Sequence, residues 1–173
     1  MITISTAKIK HLTTETYNKL IEALPIHQLS CSCGQSACMI KHAYYTRSIK
    51  VLGRLIKLRI LRLICKHCNK THSILPDWIV PYSRVLLTDH LKIIKAYQNN
   101  NSYEDLMIEN VLIDESNLSY ILKKYKLYWK ERLFSYKICL DLNLTQNCIK
   151  HFKRQFMQIK STTNILFSHT HTT

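Results

Sequence analysis

The chain has 173 residues, 46% of them apolar, enough for one ordinary domain or two small ones with a buried core. Its 25 Lys and Arg against 11 Asp and Glu give a net charge of +14 and a sequence pI near 9.6. That balance points to a polyanionic partner, nucleic acid above all.

Two glycines and three prolines argue against long flexible linkers. No window approaches the roughly 18 to 20 apolar residues of a membrane span, and the N-terminus lacks the apolar core of a secretory signal. The chain therefore reads as soluble and cytoplasmic, with no membrane partner. In a reducing compartment clustered cysteines serve metals more often than disulfides.

Residues 1–30 form an N-terminal segment with a short helix. In "TETYNKLIEAL", Tyr17, Leu20, Ile21 and Leu24 recur at helical spacing, Thr14 is placed to cap, and Pro25 ends the run. Residues 31–80 read as a metal-binding β module. "AYYTRSIKV" and "RLIKLRILRLI" are strand-like runs meeting near Gly53 in a hairpin. Residues 41–70 carry nine Lys or Arg and no acid. Lys57 and Arg59 alternate with Ile56, Leu58 and Ile60, so one face packs while the other presents cations.

Across 81–140 the period changes to that of a helix. Leu86, Leu87, His90, Leu91, Ile94 and Tyr97 share a stripe that "NNNS" stops; "SYEDLMIEN", capped by Ser102, is a second short helix. A long third helix begins near Asp114 or Ser116, with Leu118, Ile121, Leu122, Tyr125, Trp129 and Leu133 on its apolar side. Helix, short helix, tight turn and long helix outline a helix-turn-helix unit. Lys123, Lys126, Lys130 and Lys137 recur at helical spacing away from the stripe. Residues 141–173 form a basic C-terminal helix and tail: Ile149, Phe152, Phe156 and Ile159 make its apolar side, and no acid follows Asp141. The fold expected is α+β, a small N-terminal zinc-ribbon β module followed by an all-α, helix-turn-helix-like region.

The chemistry lies in "CSCGQSAC" and "CKHC", which bracket the hairpin. A C-x-x-C turn points two thiolates at one ion and frees backbone amides to hydrogen-bond them. Asn69 and Gly34 stand where such knuckles need left-handed backbone. The preferred ligands of a structural Zn2+ are Cys33, Cys38, Cys65 and Cys68, with Cys31 competing. His42, His67 and His72 are weaker candidates, and Cys139 and Cys148 read as small core residues. Catalysis is not expected. The carboxylates of "EDLMIENVLIDE" suit helix N-termini, and no nucleophile-elbow, phosphate-loop or zinc-protease pattern occurs.

The blocks "CSCGQSACMIKHAYYTRS", "LRILRLICKHCNKTHSILPDWIVPYS", "IDESNL", "YWKERL" and "FKRQFMQIKSTTNILF" resemble an uncharacterised bacterial family, found chiefly in Firmicutes. That family carries a domain of unknown function and is described as transposase-like or mobile-element-associated. The resemblance runs from about residue 25 over nearly the whole chain. Cys31, Cys33, Cys38, His42, Tyr45 and Arg47 fit its first block, whereas Ala43 stands where the family commonly has glycine. It implies a zinc ribbon followed by a helical DNA-binding region, like the N-terminal part of some transposases without their catalytic core.

The function expected is that of a DNA-binding accessory or regulatory protein of a mobile element. Its partner is double-stranded DNA, and a transposase or recombinase is a candidate second partner. Lys57, Arg59 and Arg62 on the hairpin, with Lys123, Lys126 and Lys130 on the long helix, would contact phosphate; Asn117, Ser119 and Tyr120 would read bases. A truncated transposase or non-catalytic subunit is one alternative. A zinc-ribbon interaction module or RNA binder, stacking bases on Tyr44, Tyr45 or Trp78, is another.

Overall fold

The computed structural model describes residues 1–6, 13–51, 54–102, 104–105 and 113–158. Strand β1 is Ile2–Ile4, helix α1 Thr14–Glu22, and a 3-10 turn spans Ile26–Gln28. Then come β2 (Met39–Val51), β3 (Arg54–Cys65) and β4 (Thr71–Pro76), followed by α2 (Leu87–Gln98) and α3 (Glu115–Lys124). A π-helical segment, Tyr125–Trp129, leads into α4 (Lys130–Ser135), and α5 is Leu144–Phe152.

The strands form a four-stranded sheet in the order β1-β4-β3-β2. The β2–β3 hairpin runs antiparallel from Met39↔Cys65 to Val51↔Arg54, with a bulge between Lys41 and Ala43. Strand β4 divides its pairing: Thr71–Ser73 run antiparallel to β3, while Ile74–Pro76 run parallel to β1. Where β4 leaves β3, the Tyr17 side chain of α1 replaces a rung. Its hydroxyl accepts from Leu61 N at 2.9 Å and donates to Ile74 O at 3.1 Å. Burial raises the Tyr17 phenol to about 12, so that proton stays in place.

This arrangement corrects the expected fold. The protein is a mixed α/β chain with its sheet in the middle and helices after it, not a small N-terminal ribbon followed by an all-α region. Two features exclude a free-standing ribbon. The N-terminal strand joins the sheet through Ile2↔Ile74. Adjacent residues Ile60 and Leu61, which project from opposite faces of β3, are both fully buried, so both faces of the sheet are covered. The helical part also bonds back to the loop after β4: Thr145 Oγ1 donates to Asp77 O and Gln155 Nε2 to Ile79 O.

The short helices obey local rules. Thr13, rather than Thr14, caps α1 in a reciprocal box with Thr16. Asp114 caps α3 by accepting from Asn117 N. The stripe residues Leu118, Ile121, Leu122, Tyr125, Trp129 and Leu133 are all buried. Their spacing alone keeps them on one side, and the π segment Tyr125–Trp129 lies within that run. Of the helix expected at 102–110, Glu104 and Asp105 are helical and Ser102 caps them, with Asp105 N donating to Ser102 Oγ at 3.0 Å. The rest of that segment, and with it the helix-turn-helix outline, lies outside the described residues, as does the Gly53 turn.

The C-terminal helix ends earlier than the sequence pattern suggests, at Phe152, where Lys153 turns left-handed with φ 53°. Phe156 is nevertheless buried, stacked edge-on against Trp129 at 5.3 Å. Ile159 lies outside the described residues. Cys148 is buried as expected, but Cys139 is exposed. No helix among the described residues is long and apolar enough to cross a membrane.

Candidate metal centre

The two cysteine loops close by matching hydrogen bonds. In the first, Gly34 N donates to Cys31 O at 3.0 Å and Cys31 N to Gln35 O at 2.8 Å. In the second, Asn69 N donates to Cys65 O at 2.9 Å and Cys65 N to Lys70 O at 3.0 Å. Gly34 (φ 91°) and Asn69 (φ 56°) supply the positive φ each loop requires. A Cβ on Gly34 would meet nothing within 4 Å, so glycine serves there for its backbone rather than for room. The pairs Met39↔Cys65 and Lys66 N to Cys38 O, at 2.9 Å, bring the loops together at the hairpin base.

The sulfurs of Cys31, Cys33, Cys65 and Cys68 all lie within 4.8 Å of one another. Cys31 and Cys68 are 3.6 Å apart and Cys33 and Cys65 3.9 Å. A tetrahedral ion with metal–sulfur bonds near 2.3 Å needs sulfur–sulfur edges of about 3.8 Å. The four thiols fit that requirement and can hold a metal ion.

The quartet contains Cys31, the competing ligand of the sequence reading, and not Cys38. Cys38 Sγ sits beside it, 3.3 Å from Cys65 Sγ, and donates to Gln35 O at 3.2 Å. Such a donor keeps its proton, and burial with the neighbouring Cys65 raises the Cys38 thiol. Two members of the quartet are biased the other way. The Cys33 amide draws Cys31 down to about 7. Burial raises Cys65, but the Cys68 amide, the Cys38 thiol and the His67 amide outweigh it and bring it to about 6.

The Lys70 amide favours the Cys68 thiolate, yet burial and the adjoining Cys31, Cys65 and Cys33 sulfurs hold Cys68 up at about 12. A bound cation reverses that last effect, because a coordinating thiol is deprotonated outright. His72 stands one layer out: its Nε2 lies 3.3 Å from Cys31 Sγ, the position of a group that orients a ligand. His42 and His67 are exposed and stand outside the quartet.

A family model matches residues 30–120, slightly more than half of the 173-residue chain. The chain belongs to DUF6431, a domain of unknown function. The DUF6431 match takes in all five clustered cysteines, strands β2 to β4, helix α2 and the start of α3. No curated protein and no solved structure matches the chain.

The cations singled out in the sequence fall in several places on this DUF6431 chain. Lys57 and Arg59 are exposed on one face of β3, with the Arg59 guanidinium 4.4 Å from the Tyr44 ring centre. Arg62, an odd number of residues away, is on the opposite face, half-buried, and stacks on Tyr45 at 5.0 Å. Lys123, Lys126 and Lys130 are exposed. Ser119, Lys123 and Lys126 line a groove of about 590 Å³ with Tyr97 and Asn101, and Lys126 Nζ lies 4.3 Å from the Tyr97 ring centre. Asn117 is tied into the cap of α3 through Nδ2 to Asp114, and Tyr120 is half-buried against the helical core. Tyr45 and Trp78 pack partly against the sheet core, while Tyr44 is 42% exposed.

Proposed function

We propose that the protein binds double-stranded DNA as an accessory or regulatory factor linked to a mobile element, with Zn2+ held structurally by Cys31, Cys33, Cys65 and Cys68. The observation that carries the DNA-binding reading is the placement of uncompensated charge. Lys57, Arg59, Lys123, Lys126 and Lys130 are exposed, and none pairs with a carboxylate among the described residues. On a chain of net charge +14 such groups attract a polyanion and release its counterions.

The metal has a structural part in this reading. Four thiolates fill a tetrahedral shell and leave no open position for substrate. They tie the loop before β2 to the turn after β3, so the ion fixes the base of the basic hairpin and adds its binding free energy to folding. The link to mobile elements rests on the resemblance of the sequence blocks.

The test is selection of bound fragments from a random double-stranded DNA pool by zinc-loaded protein at near-physiological salt, with Cys65→Ser as control. One enriched motif that the control loses is the expected result. An unenriched pool combined with no retention of duplex would overturn DNA binding as the function. Release of cut product by the protein alone, with a divalent metal added, would favour a transposition enzyme instead.

A further inference from the structure

We infer that the exposed face of the β2–β3 ribbon is the element that reads bases, seated in the major groove of DNA; this rests on the DNA-binding reading above. The ladder continues from Ala43↔Arg62 to Val51↔Arg54, whereas β4 reaches β3 only at Arg62–Ile64. The outer half of the hairpin therefore extends past β4 as a two-stranded ribbon, tied at its β2 edge by a bridge from Lys50 to Val85, with Lys50 N donating to Arg84 O at 2.8 Å. Its inner face carries Leu58, Ile60 and Ile49, all buried, and Arg47 anchors that face by donating to Val80 O and Ser83 O at 2.8 and 2.7 Å.

The other face is covered at Leu61 and exposed beyond it, from Arg59 to Leu55. Cross-strand pairs Tyr44↔Leu61, Thr46↔Arg59, Ser48↔Lys57 and Lys50↔Leu55 fix which side chains share it. Thr46, Lys57, Arg59 and Leu55 are exposed there and Ser48 is half-buried. Beyond the buried Leu61 and the Tyr44 ring, the face offers hydroxyls, cations and the exposed Leu55 side chain, but no carboxylate among the described residues. The carboxylate that reaches this face, Asp114, is held by Lys50 at 3.3 Å.

A two-stranded ribbon fits the major groove, which is about 12 Å wide. Arg59 can bond a guanine edge in bidentate fashion, Thr46 and Ser48 can each donate or accept, and Leu55 suits a thymine methyl. The Arg59 guanidinium covers a face of the Tyr44 ring at 4.4 Å. That ring is then a support which orients Arg59 rather than a platform for an unpaired base. This favours duplex DNA over single-stranded RNA, and the deep, narrow major groove of duplex RNA does not admit the ribbon. On α3, by contrast, the Asn117 amide is already engaged by Asp114.

The experiment repeats fragment selection with the full zinc-loaded chain carrying Arg59→Lys, or Thr46→Ala with Arg59→Ala, after zinc content and circular dichroism are matched to wild type. Arg59→Lys keeps the charge but loses the bidentate fork. The expected result is relaxed preference at one position of the motif, by about 5- to 150-fold, with an unchanged salt slope. The double variant should lose the motif while still binding duplex nonspecifically. If both ribbon variants select the wild-type motif unaltered, and Ser119→Ala loses it instead, the readout belongs to α3 and the inference is wrong while DNA binding stands. If wild-type protein binds RNA oligonucleotides and no duplex DNA, both fall.

Discussion

The Tyr17 hydroxyl links α1 to the sheet at the point where β4 exchanges partners, satisfying one buried N–H and one buried C=O. Tyr17→Phe keeps the ring and removes both bonds. Orphaned backbone groups cost about 1–3 kcal/mol each, so with two of them the variant should lose about 2–6 kcal/mol. The check is a shift of the urea midpoint at unchanged m-value; an unshifted midpoint would mean that water replaces the hydroxyl.

The same scale governs the spare thiol. Cys31→Ser should abolish stoichiometric zinc binding and Cys38→Ser should retain it, as read by metal content after gel filtration. The reverse pattern would place Cys38 in the shell. Spacing alone could not decide this, because Cys31, Cys33 and Cys38 sit within one short loop. The choice depends on how Gly34 turns the chain and on Lys66 N binding Cys38 O, a contact 28 residues away in sequence.

At the scale of elements, most of what is local could be read in advance. The stripe of α2, the buried side of α3 and the hairpin all follow from side-chain period, and left-handed Asn69 and Gly34 follow from residue type. What escaped is non-local. The three residues of β1 are β-branched but too few to define a strand alone, and their place is set by Ile74 on a strand far along the chain. The parity of Arg59 and Arg62 was available in the sequence, since an odd separation on a strand reverses the face.

The stripe of α2 also contains a histidine that its period could place but not characterise. His90 is fully buried, bonded through Nε2 to Ser83 Oγ at 2.9 Å, and its Nδ1 has no partner among the described residues. Phe156 packs edge-on beside it at 6.3 Å, and burial lowers its pKa to about 3. An unfolded histidine titrates near 6.5. Between about 6.5 and 3 the unfolded chain therefore holds a proton that the folded one does not, so stability falls as the pH is lowered through that window. The slope from this one group is at most about 1.4 kcal/mol per pH unit. His90→Leu should flatten the stability profile between pH 6 and 4 by about one proton, whatever its effect on absolute stability. Urea titrations across that range check it, and an identical slope would mean that His90 is charged in the fold.

For the whole molecule the decisive quantity is how the surplus charge is distributed between positioning the duplex and reading it. Lys123, Lys126 and Lys130 lie on the helical half, whose buried core runs from Val80 to Met157, whereas the ribbon belongs to the sheet core that includes Leu58 and Ile79. Side chains on these two parts need not contribute in the same way. A lysine that neutralises one phosphate changes affinity for every sequence alike and removes about one counterion from the salt dependence. Lys126, exposed beside the Tyr97 ring, is the sharpest case. Lys126→Ala should weaken binding to cognate and random duplex by the same factor and reduce the log–log salt slope by about 0.9, whereas Arg59→Lys should alter sequence preference at constant slope. Binding isotherms on two duplexes across a salt series separate these outcomes. An unchanged slope for Lys126→Ala would mean that Lys126 neutralises no phosphate and would remove it from the interface.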